Sequence, residues 1–149
     1  MHISSIDELQ NVFHQQIPIT NHLGLQVSSY ENETLRLFAP LQENINHKAS
    51  AFGGSIYSVC VLAGWGLLYL KMKEEGLKGH IVIYESNISY QQSITSDFTS
   101  ECRLENQADF ERFLNIYKRK KKAKLRLTSR ILIEDETCVE FNGTYVVHT

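Results

Sequence analysis

GGSIYSVCVLAGWGLLYLKMKEE, residues 53–75, is the stretch whose reading decides the fold. From Val59 to Leu70 apolar residues cover nearly every face of a helix, and such a helix must be surrounded by protein or lipid. The uncharged run from Ile56 to Leu70 reaches about 23 Å as a helix, short of a hydrocarbon core of roughly 30 Å. Ser58, Gly64 and Gly66 interrupt it as well. The segment is therefore expected to be a core helix rather than a membrane span. Gly76 suits the left-handed turn that closes a helix, and Lys71 and Lys73 suit the negative end of its dipole.

Something must wrap this helix, and the flanking sequence offers strands. Ile81–Ile94, Phe98–Leu104, Lys124–Glu134 and Thr137–His148 all read as β. In the third, Leu125, Leu127, Ile131 and Ile133 face one way while Lys124, Arg126, Thr128 and Arg130 face the other. Asp135-Glu136 supplies a tight turn before the fourth. Upstream, Gly24 to Leu41 is extended, either a hairpin turning at Glu31-Asn32-Glu33 or one long bent strand. Two further helices are expected. One runs from about 5 to 17, with Ser5 and Glu8 forming a capping box and Pro18 ending it. The other runs from Ala108 to Lys121, with Asn106 as its cap and Phe110, Phe113, Leu114 and Tyr117 as its apolar stripe. Short connections make the sheet antiparallel. The expectation is an α+β fold, an antiparallel sheet wrapped around one long buried helix, as a single domain over residues 1–149.

Composition narrows the function classes. The chain has 149 residues, 42% hydrophobic and 21% charged, which argues for a packed core and against disorder. A net charge of −2 gives no global field for nucleic acid or membrane. Cys60, Cys102 and Cys138 are widely spaced, without a CxxC or Cys/His cluster, so they read as thiols in a reducing compartment and not as metal ligands. MHISSIDELQ at the start lacks a basic region followed by an apolar stretch, so a cytoplasmic location is expected.

Chemistry concentrates at NHKASAFGGS, residues 46–55. The first turn of a helix leaves N–H groups unpaired and carries partial positive charge. Gly53 and Gly54 let a ligand approach those donors closely, which would suit a carbonyl oxygen gaining charge under attack. They would equally allow tight helix–sheet packing. Asn44 and Asn46 could position a reacting group or cap local turns. Ser55 and Ser58 could donate to a ligand or serve as packing hydroxyls.

The stretch LQENINHKASAFGGSIYSVCVLAGWGLLYL, residues 41–70, resembles the hotdog thioesterase superfamily. Within it, the Asn-His-Lys, Phe-Gly-Gly-Ser and Gly-Trp pattern is similar to thioesterases of the YiiD C-terminal-domain type. NISYQQSI, residues 87–94, resembles the strand of those proteins that ends in Tyr before a small turn. The resemblance spans roughly Gly24 to the C terminus. It implies a hotdog fold and hydrolysis of an acyl-CoA or acyl-carrier thioester, with coenzyme A part of the substrate and no separate cofactor or metal. It also implies sites at the interface of a homodimer, alone or in a dimer of dimers, with Ile81–Tyr90 as the candidate edge. On the matching positions, Gly53 with Gly54 polarises the thioester carbonyl and Asn46 positions water or thioester. Phe52 stands where a histidine often precedes the glycines, and Gln92 where a serine or threonine sometimes assists.

One departure bears on the chemistry. The catalytic carboxylate of the related branch falls seven residues past the second glycine, and that position is Val61. Valine is neither base nor nucleophile. A base would have to come from Glu43, His47 or Glu85, the last assigned to the catalytic set, each of which could instead be an exposed residue. The alternative is a non-catalytic protein that binds acyl thioesters. His47, Phe52, Ser55, Ser58, Val61 and Gln92 are expected around the substrate. KRKKKAK, residues 118–124, would meet the nucleotide phosphates of coenzyme A, with Lys120 and Lys121 foremost. It would otherwise be a solvated helix end or, least of all, a nucleic-acid patch.

Overall fold

The computed structural model describes residues 4–149. Helix α1 (Ser5–Gln16) is capped by Ser4, whose Oγ accepts from the Asp7 amide at 3.1 Å, so the cap lies one residue before the expected Ser5. Pro18 ends α1 as expected, and a short α2 (Ile19–Leu23) follows. Strands β1 (Gln26–Glu31) and β2 (Thr34–Ala39) form the hairpin of the two arrangements the sequence allowed. Asn32 and Glu33 take the positive φ that a two-residue hairpin turn requires. After a 3₁₀ turn at Gln42–Asn44 comes the long helix α3 (Gly53–Glu74).

Helix α3 ends as its sequence indicates. Gly76 has φ +69°, its N–H bonds Lys73 O at 2.9 Å, and the Leu77 N–H bonds Met72 O at 3.0 Å. These two bonds satisfy carbonyls that the helix itself leaves open. Strands β3 (His80–Tyr90), β4 (Phe98–Arg103), β5 (Lys122–Ile133) and β6 (Glu136–His148) follow, with α4 (Gln107–Lys120) between β4 and β5. Strand β3 stops four residues before the expected Ile94. The β5–β6 turn falls on Glu134-Asp135, both at positive φ, one residue earlier than Asp135-Glu136. Asn106 caps α4, and Phe110, Phe113, Leu114 and Tyr117 are all buried.

The six strands form one antiparallel sheet in the order β1-β2-β4-β5-β6-β3, and α3 lies along its inner face. This is the hotdog arrangement. Two buried hydroxyls pin the helix to the sheet. Ser129 Oγ donates to Cys60 O at 2.9 Å, and Tyr145 Oη donates to Val61 O at 2.7 Å. Gly64 makes the second contact possible, because a Cβ there would lie 2.2 Å from the Tyr145 hydroxyl. Helix α1 closes over α3 through Leu9 and Phe13, with the Phe13 and Trp65 rings 5.8 Å apart. Helix α4 closes the far end, where Tyr117 Oη donates to Lys78 O.

The covering of the buried helix α3 is uneven. Tyr57, Val61, Trp65 and Tyr69, four residues apart, form a half-buried stripe. Tyr57 and Trp65 reach β3, the edge strand: Tyr57 Oη bonds Ser86 Oγ at 2.6 Å and Trp65 Nε1 donates to Ile81 O at 2.9 Å. By length and apolarity α3 also passes for a membrane span, but here it is the packed core helix.

Candidate functional site

The start of α3 is an open anion-friendly terminus. Phe52 is its N-cap, in extended backbone, and contributes no side-chain cap. The first intrahelical bond runs from the Ile56 amide to Phe52 O. The amides of Gly53, Gly54 and Ser55 therefore have no hydrogen-bond partner among the described residues. Unpaired first-turn amides combined with the helix dipole favour an oxygen that carries or gains negative charge.

Three segments hold this terminus in place. The Phe52 amide donates to Asn44 O at 2.7 Å, and the Ala51 amide donates to Ile94 O at 2.8 Å. Tyr90, at the end of β3, donates its hydroxyl to Gly53 O at 2.9 Å. Burial, with Cys60 and Tyr57 nearby, raises the Tyr90 phenol above its ordinary pKa, so it remains a donor. Asn44 is the clamp beneath. It is buried, and its Nδ2 donates to Leu23 O and Pro40 O at 2.9 and 2.8 Å. The bond to Pro40 O is the local turn contact that the sequence offered for Asn44, and the bond to Leu23 O, 21 residues away, adds a tertiary one. Tyr90 was missed as a site residue, although its signal was visible as the Tyr that ends the strand before a small turn.

The expected site residues fall into three groups. Gly53, Gly54, Ser55 and Phe52 share the helix start. The Phe52 ring is 56% exposed and lies over Gly54, where a Cβ would meet it at 2.5 Å. Asn46 and His47 belong to the adjoining loop, closed by the Ile45–Ala51 bridge. Asn46 Oδ1 accepts from the Lys48 and Ser50 amides and from Ser50 Oγ, so that oxygen organises the loop. His47 is exposed. Ser58 bonds back to Gly54 O at 2.9 Å, which occupies its proton. Val61 lies on the half-buried stripe one turn beyond Tyr57.

The remaining residues lie apart. Ser86 faces α3 through Tyr57, so Glu85 beside it faces the opposite side of the sheet. There it lines a shallow depression with Arg126, Asn142 and Thr144. The structure does not bring Glu85 to Gly53. Gln92 is exposed and lies past the end of β3, where its amide bonds Cys138 O. Glu43 is exposed, and its side chain leans toward Gly24. Lys120 and Lys121 are exposed at the end of α4, and the neighbouring Lys122 pairs with His148, itself opposite His80. The basic cluster thus lies at the far end of β3 from Tyr90. The buried thiols take no part: burial pushes Cys60 and Cys102 up to about 12.

Comparison with known proteins identifies the family and the fold. A family model described as "Putative thioesterase (yiiD_Cterm)" matches residues 6–149. A protein of unknown function from Chlorobaculum tepidum TLS is 34% identical, with TM-score 0.90, over 95% of this chain and 93% of its own. A Shewanella oneidensis protein described as a "putative thioesterase" is 28% identical, with TM-score 0.85, over 97% of this chain and 98% of its own. A Pseudomonas aeruginosa protein at 19% identity and TM-score 0.82, over 99% of this chain and 97% of its own, shares the fold.

Proposed function

The chain belongs to the YiiD C-terminal-domain thioesterase family, and from that premise we propose that it hydrolyses acyl-CoA or acyl-carrier thioesters as a homodimer. The observation that carries this reading is the uncapped start of α3. The free amides of Gly53, Gly54 and Ser55 open beside the edge strand. The thioester carbonyl accepts from Gly53 and Gly54, and its oxygen gains charge as water attacks. An aimed donor in such a place is worth roughly 3–4 kcal/mol of barrier. Asn46 holds the loop that borders the site. Of the three candidate bases, His47 is the one on the loop that adjoins the helix start, and we assign it the proton of the attacking water.

The edge strand supports the dimer. Strand β3 is eleven residues long and pairs only with β6. It exposes Val82, Ile83, Tyr84 and Tyr90, without the lysines or prolines that usually protect an edge. Two-fold pairing of β3 with its copy would continue the sheet. It would also serve substrate binding. Within one chain the Lys118–Lys124 cluster and Tyr90 lie at opposite ends of β3, about 30 Å apart. Antiparallel pairing of the two β3 strands brings one copy's basic cluster toward the other copy's Gly53. That is the direction in which the phosphates of coenzyme A would extend.

Thiol release from a panel of acyl-CoA and acyl-carrier substrates tests the reading. Turnover is expected, with a loss of 10²–10⁴-fold in His47→Ala if that imidazole is the base. Val61, on the helix stripe, offers no carboxylate and favours a second reading, a binder without turnover. Saturable binding of acyl-CoA with no thiol released by the wild-type protein would decide for the binder.

A further inference from the structure

Between the last turns of α3, the α3–β3 loop and α1 lies a cavity of about 410 Å³. Tyr69, Met72, Leu77 and Ile81 give it apolar walls, and Lys78 and the paired side chains of Glu8 and Lys73 also line it. It cannot serve the Gly53 site of its own chain, because Tyr69 is about 24 Å further along the helix. A second copy changes this. The Tyr57–Ser86 and Trp65–Ile81 bonds fix how α3 lies along β3. Interpolating between them, Glu85, the midpoint of β3, is level with about residue 59 of α3. A two-fold axis through that midpoint carries the second copy's Gly53 to the level of about residue 65. From there Tyr69 is about 6 Å, and Met72 about 10 Å, further along the helix. The intervening surface is the stacked Trp65 and Tyr69 pair, with ring centroids 5.5 Å apart.

We propose that this cavity receives the acyl tail of a thioester whose carbonyl is held by the second copy's Gly53. One chain then supplies the oxyanion donors and the other selects the acyl length. The proposal rests on the dimeric thioester site described above and adds the residues that set its specificity. An extended chain advances about 1.2 Å per bond, so a tail reaches the level of Tyr69 at roughly five carbons and that of Met72 at roughly nine. Each methylene that enters should raise kcat/KM or affinity about four-fold until the cavity is filled.

The test measures thiol release from saturated acyl-CoAs of increasing length. In parallel, calorimetry measures binding of the matching non-hydrolysable thioethers, using the full-length protein. Leu77→Trp, which fills the cavity, should cut the gain in kcat/KM and affinity from longer chains ten-fold or more. Tyr69→Ala, which widens the path, should move the optimum to longer chains. A cooperative urea transition shows that each variant is folded. If both variants keep the wild-type length profile, the cavity assignment is overturned while the thioester site stands. If the thioethers bind with the expected length profile but nothing is hydrolysed, the cavity stands and the hydrolase reading falls. If the wild-type protein neither binds nor hydrolyses, both fall.

Discussion

Gly53→Pro separates the donor role of the helix start from its structural role. Gly53 is the first helical residue, and its N–H bonds nothing among the described residues. Proline is well tolerated at such a position, because its missing N–H is one the helix does not use. Phe52, with φ −67° and ψ 133°, already has the extended backbone that a following proline demands. A Cβ at 53 would meet the Tyr90 ring at 3.6 Å, an ordinary contact, and the carbonyl that accepts from Tyr90 is retained. Stability should therefore hold, or rise by about 0.4–1 kcal/mol through a stiffer unfolded chain. Activity should not hold. Removing one oxyanion donor costs about 10²–10³-fold in kcat, with part of that loss offset if Gly54 takes up the carbonyl. Gly53→Ala keeps the N–H and serves as the control, with a much smaller loss. The assays are thiol release from an acyl-CoA and urea denaturation. A folded Gly53→Pro protein with wild-type kcat would refute the oxyanion assignment, and an unfolded one would refute the account of the helix start.

Three further outcomes follow from the packing and the edge. Gly64→Ala gains about 1 kcal/mol of helix propensity but drives a methyl into Tyr145 and disturbs its bond to Val61 O. Overpacking and an unpaired buried hydroxyl each cost about 1–3 kcal/mol, so a net loss of about 1–5 kcal/mol is expected in urea titration, and a stabilised variant would contradict it. Val82→Lys with Tyr84→Lys places charges on the free edge and should convert dimer to monomer in sedimentation, with loss of turnover; an unaltered dimer would mean that β3 is not the interface. Burial holds Cys60 and Cys102 neutral in the fold, up to about 12 against an ordinary 9.0. Their contribution is complete below pH 9 and is lost as pH rises toward 12, because the unfolded thiols ionise first. Denaturant midpoints should fall through that window, and less steeply in the Cys60→Ala, Cys102→Ala variant.

What could be read from the sequence followed from local periodicity. Helix α3, its Gly76 cap, the Phe110–Tyr117 stripe and the alternation of β5 are patterns within one segment, and the structure repeats them. Strand order is different in kind. Strand β3 pairs with β6 and not with β4, its successor, and no pattern inside β3 states which neighbour it will have. For the same reason Glu85 looked available to the site. Its side of the sheet depends on the register irregularity between Ile83 and Glu85, where the alternation slips. A local reading of Asn44 reaches its bond to Pro40 O, four residues back, but not the one to Leu23 O, 21 residues away. The open stripe eluded a local reading because Tyr57, Val61, Trp65 and Tyr69 have the same composition as a core face. Half-burial is a property of what the fold leaves uncovered.

Three features of this chain are incomplete, and they lie together. Among the described residues, the α3 stripe is half-buried, the β3 edge is unpaired, and the first amides of α3 have no partner. Each alone has an ordinary explanation in surface aromatics, a tolerated edge or a solvated terminus. Their adjacency is harder to explain one by one. Tyr57 and Trp65 of the stripe bond β3, and Tyr90 of β3 bonds Gly53 at the helix start. A single event, pairing of β3 with a second copy, would extend the sheet, cover the stripe and wall the helix start from water. That last effect has chemical weight, because a donor aimed at an oxyanion is worth far more where water is excluded. The absence of a carboxylate at Val61 then has a physical setting. On the proposed reading, the chain would supply the electrostatic half of a thioester site, and assembly, together with the His47 loop, would supply the rest.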